Sequence, residues 1–268
     1  MHVVVILAGI ADPKRPLERP SSGDWKDMPA HPTTPFKLSP FDEAALEIAL
    51  KLRDADPAVS LTAVVSHGAR DVPLMRNVAS YRLDRVVGLP PPAGKLGEPD
   101  WLAEHALEAA RGDKESIDLV LIGREHGDLD DGMTPAFLAA KWQWPFLGLA
   151  QSVQAADTKE WRAERMGTTA NEIFTLSGPA VISVTNAKTN RLRHPLMKNV
   201  MLAKQQKFDV LTPGGASENR RATTLQAMPP DTVARGSVPC EMLQGGIPEQ
   251  AQQLAKLLSS FAAGNTHA

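Results

Sequence analysis

The chain has 268 residues, 43% of them apolar, and 29 basic against 31 acidic side chains for a formal charge of −2. That apolar share is ample for a globular core and excludes wholesale disorder, while the near-cancelled charge excludes a global attraction to nucleic acid or an anionic membrane. A single cysteine, Cys240, excludes an internal disulfide, a thiolate zinc site and a Cys-x-x-Cys redox pair, as suits a reducing compartment.

In chain order, the opening MHVVVILAGIADP has no basic leader and no small-residue cleavage site, and no stretch approaches the ~18 apolar residues of a membrane span. The expectation is a soluble, untargeted, cytoplasmic protein. VVVILA (Val3 to Ala8) is a continuous apolar run, the signature of a strand covered on both faces in a parallel sheet. PFDEAALEIALKLRD (Pro40 to Asp54) is helical, with Ser39 as N-cap, Pro40 in the first helical position and Asp42 placed to close a capping box. LTAVVS (Leu61 to Ser66), a helix over Val72 to Leu83, the short strand Arg85 to Leu89, a helix over Pro99 to Gly112 and the strand Ile117 to Gly123 continue the alternation. After FLGLA (Phe146 to Ala150) the segments SVQAAD, EWRAERM and EIFTLS read as antiparallel strands, and GPAVISVT as one more strand.

This pattern predicts an α/β fold: a doubly wound, mostly parallel, Rossmann-like sheet of the adenine-nucleotide-binding type, with an antiparallel addition. Residues 1–210 form the α/β domain. From Leu211 the chain turns rich in Gly, Pro, Thr and Ser before a terminal helical pattern, IPEQAQQLAKLLSSFAA. Residues 211–268 therefore read as an extended arm lying against another chain, or as a tail with a frayed helix.

In such a sheet, ligands bind beyond the carboxyl ends of the strands. Three loops meet there: GIADP after the first strand, SHGA after the second, and GREHGDLDDGMT (Gly123 to Thr134) after the later one. The glycines let backbone N–H groups approach a phosphate, and the helix after Thr134 points its positive end at the anion. A nucleotide site is the inference, a solvated acidic turn the alternative. Neither G-x-G-x-x-G nor the P-loop motif is present, and the aspartates lack the glutamate that a calcium loop needs. The seven histidines show no metal spacing, and no serine or cysteine sits in a nucleophile motif. The basic run Asn186 to Lys207 is either a solvated helix face or a docking surface. In the docking reading, Leu196 and Met197 are apolar points among Arg191, Arg193, His194 and Lys198. In a third reading those two apolar residues are a buried staple on the next helix.

With these pieces located, the chain resembles the beta subunit of electron transfer flavoproteins over nearly its full length. The resemblance rests on SPFDEAALEIALKL, VVSHGA, DLVLIGREHGDLDDGMT, WPFLGLAQSV and RLRHPLMKNVMLAKQQKFDV, five motifs in the family's order. It implies a heterodimer with an alpha subunit that holds most of one FAD, the beta chain adding a wall and burying AMP. Electrons would pass from flavoprotein dehydrogenases to a membrane quinone oxidoreductase, and the arm would pack on the alpha subunit. Carried onto this sequence, the nucleotide site comprises Ile6; Ser39, Pro40, Phe41 and Asp42; Ser66 and His67; and Gly123, Arg124, Glu125, His126, Gly127, Asp128, Asp130, Gly132, Met133 and Thr134. The chain departs from the family pattern at Gly132-Met133, where Asn-Gln is usual, at His67 in place of a small residue, and at Lys198 in place of proline. Two other functions share the layout: a nucleotide-binding regulatory module without redox chemistry, and a bifurcating flavoprotein with a second FAD in this chain.

Overall fold

A computed structural model describes residues 1–14, 35–92, 99–112, 116–128, 130–157, 160–213 and 242–264. The elements run β1 (His2–Leu7), β2 (Ile10–Ala11), β3 (Phe36–Lys37), α1 (Pro40–Ala55), β4 (Ser60–Val65), α2 (Val72–Ala79), β5 (Arg85–Gly88), α3 (Pro99–Arg111), β6 (Leu119–Gly123) and α4 (Thr134–Trp142). They continue with β7 (Phe146–Asp157), β8 (Glu160–Met166), β9 (Asn171–Ser177), β10 (Ala180–Val184), α5 (Met197–Ala203), β11 (Asp209–Val210) and α6 (Ile247–Gly264).

Nine strands form one sheet in the order β11-β5-β4-β1-β6-β10-β7-β8-β9, parallel as far as β7 and antiparallel beyond it. The predicted doubly wound sheet with an antiparallel addition is the fold observed. Its two faces are read directly from β1. Val3, Val5 and Leu7 belong to a core with α1 and α2, whereas Val4 and Ile6 belong to a second core with α3 and α4. A strand covered on both faces has no polar side to show, hence its unbroken apolar run.

Three details depart from the sequence pattern. The helical pattern drawn to Leu83 stops at Ala79, because Arg82 takes a left-handed backbone with φ 59°, though Tyr81 and Leu83 stay buried. FLGLA and SVQAAD are one twelve-residue strand, β7, whose first half pairs with β10 and second half with β8. The join is irregular: Leu149 has φ 63° and its N–H donates to Ser183 Oγ at 3.1 Å. Third, the chain returns to the sheet as β11 beside β5, and Leu211 N–H donates to Gly88 O at 2.8 Å. Leu211, just after the end of β11, also packs on the α3/α4 core.

The chain divides into two units, Met1–Thr223 and Thr224–Ala268. In the second unit α6 is preceded by a turn tied by Gln253 Nε2 donating to Gln244 O at 2.9 Å. Leu254, Leu257, Leu258 and Phe261 recur at helical spacing along one stripe of α6 and are exposed. Among the described residues, no helix is long and apolar enough to cross a membrane.

Candidate functional site at the carboxyl ends of the strands

The end of β1 and the start of α1 meet through one buried carboxylate. Asp42 closes the predicted capping box: its N–H donates to Ser39 Oγ at 3.0 Å, and its carboxylate accepts the Ser39 N–H at 3.0 Å. The same carboxylate accepts the N–H groups of Ala8 at 3.0 Å and Gly9 at 3.2 Å, clasping the first loop to α1. Burial raises its pKa and the hydrogen bonds from Ser39, Ala8 and Gly9 act against that rise. Pro40 is exposed at the helix start and Phe41 is partly buried beside it. A Cβ on Gly123 would lie 2.8 Å from Phe41 Cβ, so only glycine lets β6 end against α1. Arg124 lies over the Phe41 ring, 4.8 Å from its centroid, and pairs with Glu125.

The loop after β6 is organised around Asp130. Its carboxylate accepts the N–H of His126 at 2.8 Å and the N–H groups of Met133 and Thr134 at 3.1 Å each. Met133 has no side-chain capping bond, so Asp130 satisfies two of the open donors at the start of α4. Thr134 is buried and Met133 is 59% exposed. Asp128 fastens the loop to the first one, accepting the Ala11 N–H at 3.1 Å.

Ser66 and His67 close the other side. Ser66 Oγ and His126 Nε2 are 2.8 Å apart, and the His67 and His126 rings meet edge to face with centroids 5.3 Å apart. Burial drives both imidazoles toward neutrality. His67 is lowered to about 4, with the nearby Asp130 charge acting in the opposite sense, and His126 is lowered well below its ordinary value by burial and then by His67. Nδ1 of His126 is buried without a hydrogen-bond partner. Gly127 has φ 84°, and a Cβ there would come 2.3 Å from Nδ1 of His67, so this glycine is required both by its backbone and by the ring beside it. Gly132 also has positive φ, 96°.

All but one of the residues carried over from the resemblance thus lie on one loop cluster. The exception is Ile6, which is completely buried in the α3/α4 core within β1 and has a packing role. The fit to an adenine nucleotide is decided by the donor set. Three N–H groups converge on an anion, which is what a phosphate needs, and the anion in place is Asp130 of the chain itself. The orphaned Nδ1 of His126 adds a polar group of the kind that orients a base edge. The residues fit such a group on condition that Asp130 yields its donors. No group of His, Cys, Asp or Glu among the described residues has metal-binding geometry.

The second cluster lies between β10 and β11. Leu196 and Met197 are 71% and 74% exposed, which rules out the buried staple. Met201 and Leu202, on the helix that Met197 begins, are exposed as well, at 53% and 44%. Sequence reasoning passed over them, although Met197 and Met201 are one helical turn apart. Arg191, His194 and Lys198 are exposed around this patch. Arg193 differs: its guanidinium is bound to Glu47 and Asp54 of α1.

An α/β sheet with a loop of this kind is a common frame, and the comparisons narrow it. The family model described as "Electron transfer flavoprotein domain" matches residues 31–214, and the chain belongs to that family. It is similar to the human electron transfer flavoprotein subunit beta, 28% identical over 177 residues that span 66% of this chain and 69% of the human one. It is also similar to the mitochondrial beta subunit of Oryza sativa subsp. indica, 29% identical over 184 residues, and to that of Mycobacterium tuberculosis, 32% identical over 183 residues, 65% of this chain and 66% of the relative. Within the family it stands as a divergent beta subunit.

Proposed function

We propose that this chain is the beta subunit of a heterodimeric electron transfer flavoprotein. In this reading it pairs with an alpha subunit that holds most of one FAD, and its own loop cluster holds AMP. The complex collects electrons from flavoprotein dehydrogenases and delivers them to a membrane quinone oxidoreductase, working from the cytoplasm. The observation that carries the reading is the extent of the family match, which spans both the Gly123–Thr134 loop and the exposed Leu196–Leu202 patch.

FAD, when bound, supplies reversible one- and two-electron chemistry, and no side chain of this chain need be redox-active for it. The work of this chain is binding and presentation. The N–H groups of His126, Met133 and Thr134, which now donate to Asp130, would hold the nucleotide phosphate if that carboxylate gave them up, and Ser66, His67 and His126 are the polar groups that would recognise the base. Leu196, Met197, Met201 and Leu202 offer a small apolar anchor, and Arg191, His194 and Lys198 set the charge around it. A brief contact that is steered and then released has this composition.

The test is co-expression with the alpha-type gene product, followed by the visible spectrum and extraction of bound nucleotides. One FAD and one AMP per heterodimer are expected. A stable, colourless protein overturns the redox role, and two FAD per heterodimer overturns the AMP assignment in favour of a bifurcating complex.

A further inference from the structure

The exposed patch cannot place itself. Side chains that are 71% and 74% exposed have few neighbours to hold them, yet an anchor that docks must be presented in one pose. What holds the segment is one face of α1. Glu47, Lys51 and Asp54 lie at i, i+4 and i+7 on that helix, and all three reach the strand of chain that leads into the patch. Lys51 Nζ donates to Thr189 O at 2.6 Å and to Asn190 Oδ1 at 3.1 Å, and Asn190 Nδ2 donates to Gln151 O of β7 at 2.7 Å. Glu47 takes Arg193 twice over. Its carboxylate accepts the Arg193 backbone N–H at 3.1 Å, Nε at 3.1 and 3.2 Å, and Nη2 at 2.8 Å. Asp54 accepts Nη1 at 2.5 Å.

Glu47 is only 5% exposed. A carboxylate buried that far is unfavourable unless paired, and hydrophobic residues in place of the whole pair would often stabilise the fold as well or better. What the ion pair adds is a single geometry, because a planar guanidinium gripping a carboxylate through two nitrogens, with the adjoining backbone N–H on the same group, fixes direction as well as distance. Leu196 begins three residues later. The balance of charge also matters: with two carboxylates on one guanidinium, Arg193 is not a free cation facing a partner.

We propose that Glu47 and Asp54 are positioning residues for electron transfer, setting the pose of the Leu196–Leu202 anchor through Arg193, and that Arg193 acts inward in this clamp and not as a steering charge. The inference rests on the docking role of that patch under the proposed function.

The test uses the flavin-loaded heterodimer and a flavoprotein dehydrogenase that reduces the wild-type complex in the same assay. Glu47→Gln, Asp54→Asn and Arg193→Lys are compared with Met197→Ala and Lys198→Glu. The clamp variants are expected to raise KM for the dehydrogenase by roughly tenfold with kcat, flavin spectrum and chemical reduction of the flavin unchanged. Amides of residues 191–203 exchange faster in them, and in Arg193→Lys, which keeps every charge, the salt dependence of the rate keeps the wild-type slope. Asp54→Asn, at an exposed partner, keeps the test open if Glu47→Gln fails to fold. An unchanged KM in Asp54→Asn and Arg193→Lys, beside a raised KM in Met197→Ala, overturns the clamp and leaves docking intact. A salt slope that shifts in the double variant Glu47→Gln with Arg193→Gln, which leaves the net charge unchanged, as it does in Lys198→Glu overturns the inward role of Arg193. If Met197→Ala itself transfers electrons normally, the docking reading fails, and the clamp with it.

Discussion

His67 and His126 meet edge to face, their ring planes 61° apart, at the place where β4 and β6 end. His126 is buried and His67 partly so, so protonating either ring places a charge where most of its water is stripped away, and each proton would repel the other. Both are neutral in the fold for that reason. The unfolded chain has no such constraint and its histidines take up protons near pH 6.5.

Stability should therefore fall on acidification. Between pH 6.5 and about 4 the unfolded state binds the His67 proton and the folded state does not, so stability is lost as pH drops through that window. The lowering from 6.5 to about 4 corresponds to a loss on the order of 3 kcal/mol from His67. His126 acts in the same direction. Asp42 acts in the opposite one, because burial raises its pKa and acid then favours the fold. Denaturation midpoints at pH 7.5 and 4.5 check the sum, and His67→Gln isolates the histidine part. The variant is expected to lose less stability than wild type over this interval; an equal loss would assign the acid sensitivity to other groups.

Asp130 makes a second prediction, since one carboxylate serves three N–H groups. Asp130→Ala is expected to cost roughly 1–2 kcal/mol as a lost acceptor at the helix start, and Asp130→Asn part of that, because its single amide oxygen can still accept from Met133 and Thr134 but its amide nitrogen cannot accept from His126. If the same donors serve a phosphate, AMP competes with Asp130 for them. The rise in melting temperature on adding AMP is then larger for Asp130→Ala than for wild type. Equal shifts would place the phosphate elsewhere.

Much of this was legible in the sequence because it follows from local rules. Unbroken apolar runs marked β1, β4 and β6 as strands covered on both faces, and Ser39-Pro40-Phe41-Asp42 spelled a capping box that closes as expected. The loop Gly123–Thr134 announced itself by its glycines. What stayed hidden depends on contacts between distant residues. β11 is two residues long and has no periodicity to read; it exists because β5 offers an open edge. The clamp joins positions 139 and 146 residues apart, and a glutamate inside an amphipathic helix reads as solvated until its partner is seen. Arg193, counted from sequence among the charges around the patch, is turned inward by those partners. Ile6, carried into the site by the resemblance, is a strand residue whose side chain lies in the α3/α4 core.

The docking patch gives a third prediction with a clean separation of effects. Met197 is 74% exposed, so Met197→Ala is expected to stay within about 0.5 kcal/mol of wild-type stability, as surface substitutions do. Interprotein electron transfer should slow nonetheless, with the flavin spectrum unchanged. Lys198→Glu should alter the salt dependence of the rate, because an exposed charge acts over the screening length of the solution. Stopped-flow reduction at several ionic strengths reads both. A loss of stability in Met197→Ala without slower transfer would return this residue to a packing role.

The last prediction concerns α6, whose Leu254, Leu257, Leu258 and Phe261 form an exposed apolar stripe. Fully burying one such side chain is worth about 1.5–3 kcal/mol, so a helix carrying four of them gains considerably from a second surface. The proposed occupant is the alpha subunit. Composition put the cut at Leu211, but Leu211 is bonded to Gly88 and packs on the α3/α4 core, so removing it would damage the sheet itself. A chain ending at Thr223, where the first unit ends, leaves that sheet whole. It is expected to keep the circular dichroism and melting behaviour of the α/β unit while its affinity for the alpha subunit falls by at least about tenfold. Loss of folding in the shortened chain would make α6 a part of the α/β unit's own stability. Normal pairing with the alpha subunit would free the helix for a different partner.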